Sequence, residues 1–257
     1  MSAHSAEGRE SVRKDGSRLS LFARGLGQTL MTLGALVLLF AGYVTWGTDF
    51  RNATHQTNLT SELAQAWKAP APTAGPAEVI APETPHGTPV GVLWIPSFGN
   101  DFHQTIVEGV NLDDLELGPG HYPWSASPGQ VGNFAVAGHR TGNGAPFDNL
   151  PELRAGDYLV MEMRDFYYIY RVLGDVKSGN PDVVDADGIP GRVIVDPSHV
   201  DVVAPVPGKS GMEPTRRLIT LTTCDPWWSG ANRLIIHGEL SEAPWPKSQG
   251  LPPMLKG

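Results

Sequence analysis

Hydrophobic positions fall into two regimes along the chain. From Gly25 to Trp46, GLGQTLMTLGALVLLFAGYVTW, 22 residues run without a formal charge. At ~1.5 Å per residue a helix of this length spans about 33 Å, enough for a ~30 Å hydrocarbon core. A cleaved signal peptide ordinarily has a shorter apolar region ending in small residues, and no A-x-A pattern follows here. The pattern therefore predicts a single uncleaved transmembrane helix over residues 25–47. Beyond residue 88 the apolar positions come instead in short runs: Val90–Ile95, Thr105–Val107, Asn133–Ala137, Tyr158–Met163, Tyr167–Leu173, Val193–Ile194, Val202–Val203, Leu218–Thr223 and Leu234–Leu240. They are separated by Gly, Pro, Asn and Asp, and β-branched and aromatic residues recur in them, which suits a pleated surface. Long 3.6-residue periodicity is missing; Asn111–Leu117 and the turn around Phe147–Leu153 are the short helix candidates. Many short strands with turn punctuation predict an all-β closed barrel or sandwich.

The segments between these regimes divide the chain. Residues 1–24 are polar and basic and read as an irregular tail. Ser61–Ala69 has the makings of two helical turns, with Ser61 as cap. From Ala69 to Pro89 there are six prolines, a composition that gives an extended, semi-rigid spacer. The expected organisation is a tail at 1–24, an anchor at 25–47, a linker at 48–87, a catalytic domain at 88–242 and a C-terminal tail at 243–257.

Charge adds a direction. Arg9, Arg13, Lys14, Arg18 and Arg24 precede the apolar stretch and only Arg51 closely follows it, so the positive-inside rule places the N-terminus in the cytoplasm and the domain outside. The net charge of -8 divides into +2 on residues 1–51 and -10 on residues 52–257. An acidic exported portion argues against nucleic-acid binding, which needs a basic surface. The glycines form no phosphate loop: GHRTGNG lacks the Gly-Lys-Ser/Thr ending. No tight acidic cluster calls for a metal, and Asp113, Asp114 and Glu116 read as a solvated helix face. Neither a cofactor nor a metal is expected.

The chain has one cysteine, which rules out an internal disulfide framework and multi-cysteine metal sites. Cys224 ends the run Leu218–Thr223, and Asp225-Pro226 stops the strand, so the thiol sits at a strand–loop junction where a rigid element presents it. A free cysteine is commonly a buried structural residue. An oxidising compartment and a polar Thr-Thr-Cys-Asp setting favour a nucleophile instead, which needs a neighbouring base or cation. His139 ends the run Asn133–Gly138 in the same strand-end context. His237 lies inside a strand, where a hydrogen-bonded structural role is at least as good a reading. Arg233 opens the last strand nine residues after Cys224, close enough in sequence to fold back beside it and donate hydrogen bonds to an oxyanion.

These residues resemble the signature of the sortases, membrane-anchored cysteine transpeptidases of Gram-positive bacteria. The resemblance rests on Thr220-Leu221-Thr222-Thr223-Cys224 with Arg233 and His139. It extends to Gly138-His139-Arg140, Gly144-Ala145-Pro146-Phe147, Gly118-Pro119-Gly120-His121-Tyr122-Pro123 and Arg233–Leu240, and covers roughly residues 88–242. It is nearest the actinobacterial class E branch; Gly142-Asn143 departs from the Thr-Tyr expected there. The resemblance implies an eight-stranded β-barrel in which Cys224 attacks the Thr-Gly bond of a C-terminal sorting signal of a secreted protein. It implies His139 as general acid and base, Arg233 at the oxyanion, and transfer of the acyl group to a peptidoglycan amine. Thr223 would add an oxyanion hydrogen bond. Tyr122 is either a contact to the free amide of Ala in Leu-Ala-X-Thr-Gly, an amide that Pro lacks, or a packed loop aromatic. Two alternatives stay open: a pilin-polymerising sortase, although no Asp-Pro-Trp lid motif lies in 69–89, and a non-catalytic surface binding module.

Overall fold

The computed structural model describes residues 7–43, 48–69 and 79–256, with the backbone alone for 7–21 and 48–50. It divides into two units, Met1–Gly47 and Thr48–Gly257. The first is helix α1, Glu7–Gly42, whose segment Phe22–Gly42 is long and apolar enough to cross a membrane. The hydroxyls of Thr29 and Thr32 donate to the carbonyls of Gly25 and Gln28, at 3.0 and 2.9 Å. Both polar groups are thereby satisfied within the helix, as an apolar surrounding requires. The basic segment expected to be irregular is helical from Glu7 on, since its Ala, Arg, Leu and Lys residues favour a helix. Trp46, expected at the helix end, lies outside the described residues.

The second unit is a closed barrel. In order around it come β6 (Phe166–Val172), β5 (Tyr158–Glu162), β1 (Pro89–Trp94), β2 (His103–Glu108), β3 (Gly120–His121), β4 (Gly132–Ala137), β8 (Arg217–Asp225) and β9 (Asn232–Leu240), which pairs back onto β6. Eight strands close the ring. Short strands β7 (Arg192–Val195) and β10 (Trp245–Pro246) add to β9 and β6. Most neighbours are antiparallel, but β2 pairs with β3 and β4 pairs with β8 in parallel. Period-2 alternation sends Phe134 and Val136, Ile219 and Leu221, and Leu234 and Ile236 into one core with Leu93, Ile106, Phe147, Tyr168 and Tyr170. On β8 the opposite face carries Thr220, Thr222 and Cys224.

Three expected segments differ. Val202–Val203 belongs to a 3₁₀ turn, Val200–Val203, and not to a strand. Residues 243–257 do not form a free tail: Trp245, Met254 and Leu255 pack on Val160, Tyr167 and Ile169, and Lys247 Nζ lies 2.6 Å from Glu162 Oε1. The largest difference is helix α2, Thr48–Ala66, which replaces most of the expected linker and absorbs Ser61 into its interior. Asn52, Leu59 and Leu63 on it are buried. Gln56 pairs with β2 as a strand would: its Oε1 accepts from Thr105 N at 2.7 Å and its Nε2 donates to Thr105 O at 3.2 Å. The proline segment likewise docks where it is described, with Ile80 packed on the core and its N–H donating to Ser127 Oγ at 2.9 Å. Pro70, Pro72 and Pro76 lie outside the described residues. The folded unit thus begins at about residue 48, not 88.

Candidate active site

The site grows from the shared end of β4, β8 and β9. In the parallel β4–β8 pair Ala137 stands opposite Thr222, and Gly138 N–H donates to Thr222 O at 3.0 Å. His139 follows two residues beyond this last β4 pair, and Cys224 two residues beyond Thr222 on β8. In the antiparallel β8–β9 pair Cys224 stands opposite Arg233. Directly opposed residues share a face of the sheet with Cβ atoms about 5 Å apart. One sheet end therefore gathers His139, Cys224 and Arg233. Each is partly buried, accessible yet shielded from bulk water.

The packing under these residues explains their placement. A Cβ on Gly138 would lie 2.5 Å from the ring of buried Phe147, so only glycine lets that ring close beneath His139. After His139 the chain enters a run of left-handed residues: Gly142, Asn143, Gly144 and Ala145 have φ of +66°, +49°, +76° and +40°. Glycine and asparagine tolerate this region, whereas β-branched threonine and bulky tyrosine resist it. Gly142-Asn143 therefore suits the left-handed conformation that this loop adopts. Gly230, in the β8–β9 loop, backs onto the thiol: a Cβ there would lie 3.5 Å from both Cβ and Sγ of Cys224.

Electrostatics distinguish the histidines. Burial lowers the pKa of His139 below its ordinary 6.5, while the charge of Glu116 on helix α3 (Leu112–Leu117) works in the opposite direction. The neutral imidazole a general base requires is thereby favoured at neutral pH. His237 is fully buried and its pKa falls to about 4, mainly through desolvation, with Asp185 opposing. Its Nδ1 lies 2.9 Å from Thr220 Oγ1, which donates to Asn133 Oδ1 at 2.7 Å. This leaves Nδ1–H as donor and makes His237 a structural residue. His121 is also structural, with Nδ1 2.7 Å from Glu108 Oε2 and Nε2 2.9 Å from Ser125 Oγ. Asp114 does not lie on a solvated face: it is buried, caps α3 and meets His86 Nδ1 at 2.8 Å.

Two secondary candidates part company. Tyr122 hydroxyl lies 3.1 Å from Thr222 Oγ1, on the face of β8 that carries Cys224. Thr223 points to the other face, is buried, and its hydroxyl donates to Gly138 O at 2.8 Å. This hydrogen bond pins β8 to the segment that leads from β4 to His139. Arg233 Nη1 donates to the carbonyls of Gly230 and Asn232, both at 2.9 Å. Three contributors escaped the sequence reading. Arg140 Nη1 reaches Asp225 Oδ1 at 2.6 Å and Cys224 O at 3.3 Å, holding the end of β8; its place directly after His139 was the available signal. Glu116 and Asn52 carried no local signal, because long-range packing brings them near. A groove of about 570 Å³ lies next to the site, lined by Arg140, Asp225, Asp182, Arg192, Ile194 and Leu234 among others, but not by the thiol.

Comparison with known proteins identifies the family. A family profile described as a sortase domain matches residues 93–241. Sortase SrtE1 of Streptomyces coelicolor is 32% identical over 251 residues, a match that takes in 95% of this chain and 64% of that protein, so the chain spans a little under two thirds of this relative. Among solved structures, the SrtF sortase of Corynebacterium diphtheriae superposes with a TM-score of 0.62 at 35% identity, covering 72% of this chain and 99% of the other. Sortase E of Streptomyces avermitilis gives 0.55 at 35%, with 67% and 99% covered. With the barrel, the strand-end cysteine and the matched span all in agreement, the chain belongs to the sortase family.

Proposed function

We propose that this chain is a class E type cysteine transpeptidase, anchored by α1 with its N-terminus in the cytoplasm and its barrel outside. The observation that supports the reading is the strand register that pairs Cys224 with Arg233, on a strand whose parallel neighbour β4 ends two residues before His139. His139 takes the thiol proton and the sulfur attacks the Thr carbonyl carbon of a Leu-Ala-X-Thr-Gly or Leu-Pro-X-Thr-Gly sorting signal. Arg233 turns from its loop carbonyls to the oxyanion. The Thr–Gly C–N bond breaks as the imidazolium protonates the leaving amine, and a thioester to Cys224 remains. A peptidoglycan amine then attacks the thioester carbonyl and gives its proton to His139. The thiolate leaves and recovers that proton. An amine attacks a thioester more readily than an oxygen ester, which suits a cysteine to this transfer.

Tyr122, beside Thr222, offers an acceptor to the amide N–H of an Ala at the second signal position, which Pro lacks. Cleavage of matched Ala and Pro peptides by the full chain in detergent, with and without an added amine, tests the reading. Cleavage with amine-dependent product and faster turnover of the Ala peptide are expected. Undiminished cleavage by Cys224→Ala would overturn it. The class E relatives favour this over pilin polymerisation and over a binding module without catalysis.

A further inference from the structure

Asn52 is a polar side chain that helix α2 buries almost completely, with 4% of its surface exposed. Its Nδ2 donates to the carbonyls of Glu116 and Leu117, at 3.2 and 3.4 Å. Those are end-of-helix carbonyls of α3 that no later turn satisfies. Its Oδ1 faces the other way, against Gly144: a Cβ built there would lie only 2.2 Å from it. Gly144 sits within the left-handed run that begins three residues after His139, and the turn closes through Phe147 N–H to His139 O at 3.1 Å. Two of these left-handed residues, Asn143 and Ala145, are not glycine, and such a turn persists only where its surroundings hold it. One amide thus joins the α3 segment that carries Glu116 to the loop that carries His139.

We propose that Asn52 is a positioning residue, fixing the His139 loop against Glu116 so that the imidazole keeps its place beside Cys224. The assignment of His139 as acid and base rests on the sortase reading; the clamp itself does not. The ionisable groups around His139 are Glu116 on α3, Arg140 in its own loop, Cys224 and Asp225 on β8, and Arg233 on β9. Arg140 is neutralised by Asp225, which leaves Glu116 as the acidic group free to act on the ring. An amide suits position 52 because its nitrogen donates to two carbonyls while its uncharged oxygen packs against Gly144 of the loop. Aspartate keeps the shape and sets an anion against those carbonyls; alanine removes the donor to Glu116 O and leaves Leu117 O to Gln56 Nε2 at 3.0 Å alone.

The test uses the full chain in micelles with isotope-labelled histidine, the His139 signal being identified by its loss in His139→Gln. Asn52→Ala lowers the His139 titration midpoint by about half a unit or more, since the ring loses the nearby carboxylate. It also lowers kcat for peptide cleavage about tenfold with KM within about twofold, because misplacement of a general base acts on the chemical step. Glu116→Gln, a surface change that spares folding, lowers the midpoint in the same direction, and the double variant adds little to either. Leu63→Ala, which loosens the far end of α2, leaves the midpoint in place. An unchanged midpoint in Glu116→Gln or Asn52→Ala would overturn the proposal, and so would an equal shift in Leu63→Ala. If the parent protein cleaves no peptide, the transpeptidase reading fails while the titration still decides the role of Asn52.

Discussion

Burial of the His139 ring and the charge of Glu116 pull its ionisation in opposite directions, and burial wins. A base must be neutral to take the thiol proton, so kcat/KM falls as pH drops through the His139 pKa. Because that pKa lies below 6.5, the acid limb of the pH profile is expected below 6.5, and an acid limb above it would contradict the assignment. Arg233→Ala removes the guanidinium opposite Cys224 and is expected to reduce kcat by 10²–10³, about 3 kcal/mol, with little change in alkylation of the free thiol. Tyr122→Phe removes an acceptor and is expected to narrow the preference for Ala over Pro by about three- to tenfold, the worth of one hydrogen bond. At this scale the sequence was most legible for Cys224, His139 and Arg233, whose positions at strand ends follow from where alternation stops. The Thr223–Gly138 hydrogen bond was not legible, because adjacent residues on a strand face opposite ways and the contact depends on a parallel pairing that no local pattern reveals.

At the scale of elements, strands with clear alternation or β-branched runs were found and two-residue strands were not. β3 and β10 span too few residues to show a period, and tertiary pairing alone defines them. Helix α2 was missed for a different reason. Its inward positions 52, 56, 59 and 63 keep helical spacing, but two of them are amides, so no apolar stripe marks the buried face. Those amides make hydrogen bonds to β2 and α3 in place of hydrophobic contacts. Leu63 is 3% exposed at the other end of the helix, and Leu63→Ala is expected to destabilise the domain by about 2–4 kcal/mol, as deletion of a buried leucine generally does. Thermal or urea unfolding of the barrel unit checks this; a change below about 0.5 kcal/mol, the range of surface substitutions, would mean that α2 is not docked in solution. Thr223→Val is expected to lower stability by about 1–2 kcal/mol, since it orphans the Gly138 carbonyl. A selective loss of kcat without loss of stability would return Thr223 to the oxyanion.

For the whole molecule, the barrel stores acid sensitivity in a histidine that takes no part in the reaction. His237 is buried with Thr220 and Asn133, and its pKa of about 4 lies below the ordinary 6.5 of the unfolded chain. The unfolded state binds a proton first, so stability present above pH 6.5 is lost as pH falls toward 4 and levels off below. The loss from this group is on the order of 3 kcal/mol. Unfolding free energies of the barrel unit across that window check the prediction, and a pH-independent stability from 6.5 to 4 would contradict it. Compositional bias also becomes intelligible at this scale. Excess glycine serves turns and close contacts around the barrel, as at Gly138 and Gly230, while Pro82 and Pro85 lie in a segment docked on the barrel.

In the proposed mechanism Cys224 carries the acyl group between two substrates. Intact mass spectrometry of the full chain, quenched in acid during reaction with a Leu-Ala-X-Thr-Gly peptide, reads this directly. One adduct is expected, equal in mass to the fragment ending in Thr less one water, mapped to Cys224, discharged by an added amine and lacking in Cys224→Ala. Peptide cleavage by the parent protein with no such adduct, or an adduct that survives in Cys224→Ala, would contradict it.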